Sequence, residues 1–266
     1  MSEERVTFRG LDGEDIPGHL VMPATLPTPA PAVIVIHEIW GLDAHILDVA
    51  RRFAAQGYIG FAPQLYTGAM AEAMTPARIM AGMQVLRNAP PEVQRDPERL
   101  QATWGDRSPE EQQALTTLIK VMSPATRAQF ARDVSGAVRF LAARPEVDSR
   151  RIACLGFCMG GGITANVATL VPDLWKAVIF YGENPPLDRV PAINSQVLGL
   201  YGEADPRITD TVPSLAEAMA AHGKSFAYQV YPGAPHAFFN DTRDATYRPE
   251  AAQDAWRRVL DFLGKP

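Results

Sequence analysis

The fold of this chain is decided at residues 155–161, where the sequence reads LGFCMGG. The apolar residues 152–155 predict a buried strand that enters this stretch, and residues 163–168 predict a helix that leaves it. Cys158 therefore stands in a Gly-x-Cys-x-Gly frame between a strand and a helix, which is the pattern of a nucleophile elbow. The sharp turn of an elbow strains the backbone of its central residue and leaves room only for small flanking residues.

An elbow at this point would project the Cys158 thiol from the carboxyl edge of a sheet. There the N–H of Met159 and the N-terminus of the following helix would favour negative charge, both on a thiolate and on an oxyanion. The alternative is a structural cysteine, buried beside an ordinary glycine-rich turn. Cys154 and Cys158 are about 13 Å apart along an extended strand, whereas a disulfide requires Cα atoms within about 7 Å. We therefore expect two free thiols, with Cys154 in the core.

The composition bounds the class of protein. The 266 residues are 47% hydrophobic, so a sizeable core and a single domain over residues 1–266 are expected. A net charge of −5 leaves no basic stripe, which argues against nucleic acid and anionic membrane surfaces as partners. No apolar run approaches the roughly 20 residues of a membrane span, and the polar start lacks the features of a secretory signal. These features predict a cytoplasmic location; the oligomeric state stays open.

The first part of the chain reads as a hairpin followed by a βαβ unit. Residues 5–9 and 18–23 predict an antiparallel pair at a sheet edge, across a turn at 12–15. The β-branched run at 32–37 predicts a central parallel strand, because such strands are buried on both faces. Asp43 predicts the start of a helix that ends at Gly57, and the next apolar run predicts a second parallel strand.

A helical insertion is predicted at about residues 67–123. Parallel strands need a connection of only about a dozen residues, yet this interval is far longer. Three hydroxyl caps followed by proline predict helix starts at Thr75, Ser108 and Ser123, of which the last begins the helix that returns to the sheet. We interpret the two preceding helices as a lid over the strand ends. A surface helical pair with no catalytic role is the alternative.

An acid and a histidine follow two later predicted strands. Asp205 comes after the strand at 197–201, and His236 lies in the loop after the strand at 226–230. The order nucleophile, acid, histidine is that of α/β-hydrolases, in which the imidazole moves the proton and the carboxylate orients the imidazole. Alone, Asp205 could form a turn and His236 could be an ordinary loop residue. Of the other histidines, we assign His45 to a solvated or helix-terminal role.

Four motifs together resemble the dienelactone hydrolase family of α/β-hydrolases, from about Ala32 to the C-terminus. They are GFCMGG at 156–161, GEAD at 202–205, HAF at 236–238 and HEIWGL at 37–42. The resemblance implies an α/β-hydrolase fold, with a mostly parallel central sheet covered by helices on both faces. It also implies that Cys158 forms an acyl intermediate, that Glu38 contacts the thiol, and that the N–H groups of Ile39 and Met159 form the oxyanion hole.

Substrate recognition departs from the family. Where dienelactone hydrolase has an arginine four residues after the histidine, this chain has Asn240, which we place at the substrate together with Trp40. A cationic clamp for an anionic substrate would then come from elsewhere, and Arg78 and Arg207 are the candidates.

The sequence thus predicts a cysteine-dependent hydrolase of lactones or small carboxylic esters, with Cys158, Asp205, His236 and Glu38 as its catalytic residues. A small-molecule ester or lactone is the expected partner, and no cofactor or metal is expected. One alternative is a hydrolase of other small esters or related acyl compounds. A non-catalytic binding protein with a hydrolase fold is the other.

Overall fold

A computed structural model describes residues 1–25, 29–90 and 104–266, together with residues 93, 99 and 102. Its strands form one eight-stranded sheet in the order β1-β2-β4-β3-β5-β6-β7-β8. The strand bounds are β1 Ser2–Arg9, β2 Asp15–Met22, β3 Ala30–Ile36, β4 Ile59–Pro63, β5 Val147–Phe157, β6 Lys176–Phe180, β7 Gln196–Gly202 and β8 Phe226–Tyr231.

The sheet is parallel from β4 to β8, and its other end is an antiparallel hairpin. β1 pairs only with β2, which in turn pairs antiparallel with β4, so the predicted antiparallel edge is confirmed. β3 and β5 lie side by side in the middle of the sheet. Because the strands from β4 to β8 run in one direction, their carboxyl ends meet at one edge, and the loops that follow β3, β5, β7 and β8 converge there.

Helices cover both faces of the sheet, as predicted. Successive residues of β3 alternate between two hydrophobic cores, with Ile34 in one and Val35 in the other. Cys154 is fully buried in the first core, which makes it the structural cysteine. The described helices are α1 Ala44–Ala55, α2 Gly68–Ala73, α3 Pro76–Asn88, α4 Pro109–Met122, α5 Pro124–Ala142, α6 Met159–Leu170, α7 Pro206–Thr209, α8 Val212–Ala221 and α9 Pro249–Leu263, with a 3₁₀ helix at Leu187–Ala192.

The helix starts of the insertion are confirmed. Thr75, Ser108 and Ser123 each accept a hydrogen bond from the first turn of α3, α4 and α5, and Ser108 forms a capping box with Glu111. The short helix α2 has no such cap and was not predicted. Part of the insertion, and part of the proline-rich connector between β2 and β3, lies outside the described residues. Within the described ranges, no helix is long and apolar enough to cross a membrane.

Helices α3 and α4 of the insertion pack partly into the hydrophobic core of the domain. Ile79 of α3 and Leu118 of α4 are nearly fully buried in the same core as α5, because their apolar faces pack toward the sheet. Met80 of α3, by contrast, is 59% exposed. The helix pair is therefore anchored at its base rather than lying loosely on the surface.

Candidate active site

Cys158 occupies a strained turn between β5 and α6. Its backbone has φ 55° and ψ −115°, a conformation that residues with a side chain rarely adopt. A Cβ atom at Gly156 would lie 2.0 Å from the carbonyl oxygen of Gly160, and one at Gly160 would lie 2.5 Å from that of Ile36. The turn therefore tolerates only glycine on both sides of the cysteine. This arrangement has the geometry predicted for a nucleophile elbow, and it leaves the Cys158 thiol half-buried.

Asp205 and His236 meet at the same edge of the sheet. Asp205 follows β7 and is 8% exposed, while His236 lies in the loop after β8. The Nδ1 atom of His236 is 2.5 Å from Oδ2 of Asp205, so the carboxylate orients the ring, which also interacts with the side chain of Cys158. Burial would lower the pKa of His236, but the charge of Cys158 and the bond to Asp205 outweigh burial and raise the pKa to about 10. The arrangement stabilises an imidazolium beside the sulfur.

These residues open into a cavity of about 400 Å³, here called the catalytic cavity. Its floor is formed by buried and half-buried residues at the strand ends: Glu38, Ile39, Cys158, Met159, Tyr181 and His236. Its mouth carries charged residues of three segments: Arg127, Glu183 and Arg207. The inserted helices contribute Met83, Arg87 and Met122 to the lining.

Two backbone amides on the floor are available to an oxyanion. Ile39 follows β3 and Met159 begins α6, and both line the catalytic cavity with Cys158. Neither N–H has a hydrogen-bond acceptor in the portion of the chain that the structure describes. The first N–H groups of a helix have no acceptor within that helix, and the helix N-terminus adds positive potential. The placement agrees with the predicted oxyanion hole.

Glu38 is a buried carboxyl group on the floor. It is 2% exposed, and its Oε2 atom accepts a 2.7 Å hydrogen bond from Nδ2 of Asn240. Burial raises its pKa, although the bond from Asn240 works in the opposite direction. Its Oε1 atom and the hydroxyl of Tyr181 have no hydrogen-bond partner among the described residues. No hydrogen bond links Glu38 to Cys158 over the same residues, but both side chains line the catalytic cavity, and their contact stays a prediction.

The prediction that Asn240 binds the substrate is wrong. Asn240 is fully buried behind Glu38 and does not line the catalytic cavity. Its Nδ2 atom donates to Glu38, and its Oδ1 atom accepts from the backbone N–H and the hydroxyl of Thr242. Both ends of the amide are therefore occupied, and Asn240 orients Glu38 instead.

The prediction for Arg78 is also wrong. Its side chain donates to the carbonyl oxygen of Glu72 at 2.6 Å and forms an ion pair with Glu110. These contacts tie α3 to α2 and α4, and Arg78 is not among the residues that line the catalytic cavity. The structure therefore places the Arg78 guanidinium in contacts within the insertion and not at the catalytic cavity.

Arg207 and Trp40 both line the catalytic cavity, so their contact with a substrate stays a prediction. Arg207 lines the mouth of the cavity, but its guanidinium is 3.0 Å from Glu183, which also pairs with Arg127. Trp40 lines the cavity and supports the guanidinium of Arg243, which lies 3.9 Å from the centre of the indole. The buried Nε atom of Arg243 has no hydrogen-bond partner within the described ranges.

Sequence reasoning missed Arg243, Arg87 and Tyr181 as residues of the cavity. Arg243 lies in the same loop as His236, seven residues later, and an arginine so close to the histidine of a strand-end loop was a signal available in the sequence. Tyr181 directly follows β6 and has φ 38°. Its position after a parallel strand placed it at the functional edge. Arg87 depends on how the inserted helix is oriented, which no local pattern reveals.

His45 was expected to be solvated or helix-terminal, and the solvated assignment is wrong. The residue is in the first turn of α1, but its side chain is 1% exposed and packs against Phe157 and Phe239. Burial lowers its pKa, which favours the neutral ring. Within the described residues, no group of three or more His, Cys, Asp or Glu side chains is arranged to hold a metal ion.

Comparisons with known proteins agree over nearly the whole chain. The model of the dienelactone hydrolase family matches residues 16–266. A relative from Saccharolobus solfataricus, provisionally named carboxymethylenebutenolidase, is 39% identical and covers 98% of each chain. One from Methylorubrum extorquens with the same provisional name is 34% identical and covers 93% of this chain and 76% of the relative. The crystal structure of a provisionally named dienelactone hydrolase from Klebsiella pneumoniae superposes with a TM-score of 0.73, at 30% identity over 98% of both chains.

Proposed function

This chain belongs to the dienelactone hydrolase family, and from this premise we propose that it hydrolyses lactones or small carboxylic esters through a thioester on Cys158. The observation that carries the proposal is the arrangement of Cys158 and His236 on the floor of one cavity, with the ring of His236 bonded to Asp205. A thiol at a strained turn, beside a carboxylate-oriented imidazole, is the arrangement that activates a nucleophile. A structural cysteine needs none of these features, as Cys154 shows.

The reaction would proceed in two steps. The Cys158 thiolate attacks the carbonyl carbon, and the N–H groups of Ile39 and Met159 bind the oxyanion that forms. The imidazolium of His236 protonates the leaving alkoxide, which departs as the C–O bond breaks and the thioester remains. Water then attacks the thioester carbonyl while the neutral His236 accepts a proton from it, the C–S bond breaks, and the carboxylic acid leaves with the Cys158 thiolate and the His236 imidazolium restored. The raised pKa of His236 supports its role as the acid in the first step.

The lining of the cavity supports a small substrate that carries an anionic group. Arg243 presents a guanidinium whose Nε atom has no partner among the residues that the structure describes, and the group lies 3.9 Å from the centre of the Trp40 ring. We therefore assign to Arg243 the cationic clamp for the anionic group of the substrate, a role for which Arg78 and Arg207 were the candidates from the sequence. Arg207 is already paired with Glu183, and Arg78 is outside the cavity. The methionines of the inserted helices would cover the apolar part of the substrate, which is how the insertion would act as a lid within one domain.

The test is a panel of lactones and simple carboxylic esters, with and without a carboxylate, assayed with the unmodified enzyme and with Cys158→Ala. The proposal predicts turnover of at least one class and its loss in Cys158→Ala. Alkylation by iodoacetamide discriminates the remaining possibility. A binding protein with a hydrolase fold would turn over no ester, and Cys158 would react no faster than an ordinary thiol. That pair of results would overturn the proposal.

A further inference from the structure

The peptide group between Glu38 and Ile39 carries one of the two proposed oxyanion donors. The carbonyl of Glu38 and the N–H of Ile39 belong to the same planar unit, and in a trans peptide the two groups point in opposite directions. Any contact that fixes the carbonyl of Glu38 therefore fixes the direction of the N–H of Ile39. This loop lies outside helices and strands, and the backbone bond to this carbonyl is a turn hydrogen bond of 3.2 Å from the N–H of Gly41.

His37 holds the carbonyl side of this peptide. Its ring is fully buried, with Nδ1 2.6 Å from the carbonyl oxygen of Glu38. Its Nε2 atom lies 3.3 Å from the N–H of Leu65, which can only donate. The proton of the neutral ring is therefore on Nδ1, and the ring donates to Glu38. Burial lowers the pKa of His37 to about 4, so this neutral form is the one present at neutral pH.

Tyr66 holds the next peptide group. Its hydroxyl donates a 2.9 Å hydrogen bond to the carbonyl oxygen of Ile39 and lies 3.7 Å from the sulfur of Met159. The side chain is 3% exposed, and its ring meets the ring of His37 edge to face at 4.9 Å. Tyr66 thus contacts both residues whose amides face the cavity. The carbonyls on either side of the Ile39 Cα are each bound by a buried aromatic side chain.

We propose that His37 and Tyr66 are positioning residues that aim the N–H of Ile39 at the oxyanion. The inference rests on the proposed function, since an oxyanion arises only if a carbonyl is attacked. Donors that are fixed before the reaction need no reorganisation when charge develops, which is why preorganised donors stabilise a transition state strongly. A chain of hydrogen bonds through the peptide also polarises the N–H, because each bond strengthens the next.

Tyr66→Phe is the first test, with Tyr58→Phe as its matched control. Tyr58 is also buried, lies beside β4 as Tyr66 does, and donates to a backbone carbonyl, that of Gly264. The Tyr66 hydroxyl contacts Ile39 and Met159, whereas the bond of Tyr58 lies at the other end of β4. Each variant loses one hydroxyl and one hydrogen bond. We expect Tyr66→Phe to lower kcat about 10-fold with KM within about twofold, since the lost interaction acts in the transition state. Tyr58→Phe should leave both constants unchanged.

A second readout separates positioning from general destabilisation. Alkylation of Cys158 by iodoacetamide forms no oxyanion, whereas a small trifluoromethyl ketone adds to the thiol as a tetrahedral adduct that does. In Tyr66→Phe the alkylation rate should be unchanged, while affinity for the ketone falls in step with kcat, about 10-fold. If the alkylation rate and the ketone affinity fell together, the substitution would have disturbed the Cys158 thiol itself. That result would overturn the role of Tyr66 as a positioning residue.

His37 is tested by rescue. Among the described residues, His37→Leu removes the shorter of the two hydrogen bonds to the carbonyl oxygen of Glu38 and leaves only the one from Gly41. It should lower kcat by up to about 100-fold, the effect of losing one oxyanion donor. His37→Asn can place its amide nitrogen near the former Nδ1 position and should recover about 10-fold of that loss. Equal activity of the two variants, or unchanged ketone affinity in both, would contradict the inference. If no ester is hydrolysed by the parent enzyme, the proposed function fails, whereas normal turnover in all these variants would remove only the inference.

Discussion

The floor and the mouth of the catalytic cavity each contain a carboxylate, and the two are satisfied in different ways. Glu38 on the floor is 2% exposed and accepts a hydrogen bond from the neutral amide of Asn240. The side chain of Glu183 at the mouth is 42% exposed and is paired with the guanidinium groups of Arg127 and Arg207. Burial favours the neutral form of Glu38 and outweighs the opposing charges of His236 and Arg243, whereas exposed ion pairs stay hydrated and contribute little stability.

This difference separates chemistry from recognition. On the floor, hydrogen bonds to Asn240 and Asp205 orient Glu38 and His236, and both of these groups have shifted pKa values. The groups of the mouth are partly hydrated ion pairs that can exchange partners when a substrate arrives. We therefore expect substitutions on the floor to change kcat and the pH dependence of turnover and stability. Substitutions of charged residues around the cavity should change KM, and more so the more deeply the side chain is buried.

The largest effects are expected at the catalytic residues of the floor. Cys158→Ala, His236→Ala and Asp205→Asn should each lower turnover by about 10³-fold or more, because each removes part of one proton-transfer unit. Combining Cys158→Ala with His236→Ala should add little to either single loss. Thermal unfolding checks that the variants remain folded. Near-normal turnover in Cys158→Ala would show that the nucleophile lies elsewhere.

Glu38→Gln is expected to change how the stability of the protein depends on pH. Burial raises the pKa of Glu38 above its usual 4.5, so the folded protein releases this proton at higher pH than the unfolded chain does. The stabilising contribution of the neutral carboxyl is therefore complete below about pH 4.5 and is lost as pH rises through the folded-state pKa. Glutamine retains an acceptor for Asn240 and has no proton to release. We expect Glu38→Gln to raise Tm by a few degrees at pH 8, about the effect of 1 kcal/mol, and not at pH 4.

The same substitution should also change the pH dependence of turnover and of Cys158 alkylation, since a charged carboxylate on the floor disfavours a nearby thiolate. Glu183→Gln is the matched control at the mouth, where the pH profiles of Tm and alkylation should follow those of the parent. Superimposable profiles for Glu38→Gln and the parent would assign Glu38 a purely structural role.

Arg243→Gln tests whether the guanidinium of Arg243 binds the carboxylate of the substrate. KM for a carboxylate-bearing lactone should rise about 10-fold, while a neutral ester should change less than about twofold, because the lost contact is to a group remote from the reaction. Arg78→Gln is the control, since its guanidinium is used within the insertion. Equal changes on both substrates would instead indicate a cavity that selects neutral esters by shape and apolar contact.

The smallest effect is expected for Arg207→Gln. The Arg207 side chain is 65% exposed and is already paired with Glu183. KM for the anionic substrate should rise less than about threefold, and the change should fade as salt screens the exposed charge. A change as large as that of Arg243→Gln, persisting at high salt, would assign the clamp to Arg207 instead of Arg243.

Local patterns predicted much of this site. The elbow at Cys158, the hydroxyl caps of the insertion and the strand-end positions of Asp205 and His236 each depend on residues adjacent in sequence, so the sequence alone was sufficient. The roles of Asn240 and Arg78 were mispredicted because each depends on a distant partner. Asn240 is separated from Glu38 by 202 positions, and only the folded chain shows that its amide is fully used before it can reach a substrate.

We propose that the thiol of Cys158 carries the acyl group during the reaction. Mass spectrometry of a rapidly quenched reaction would detect this intermediate. The enzyme would be mixed with a chromogenic ester, acid-quenched within the first turnover and digested. We predict the mass of the acyl group on the peptide that contains Cys158, and its absence from that peptide in Cys158→Ala. Acylation of any other residue, or steady turnover by the Cys158→Ala variant, would contradict the account.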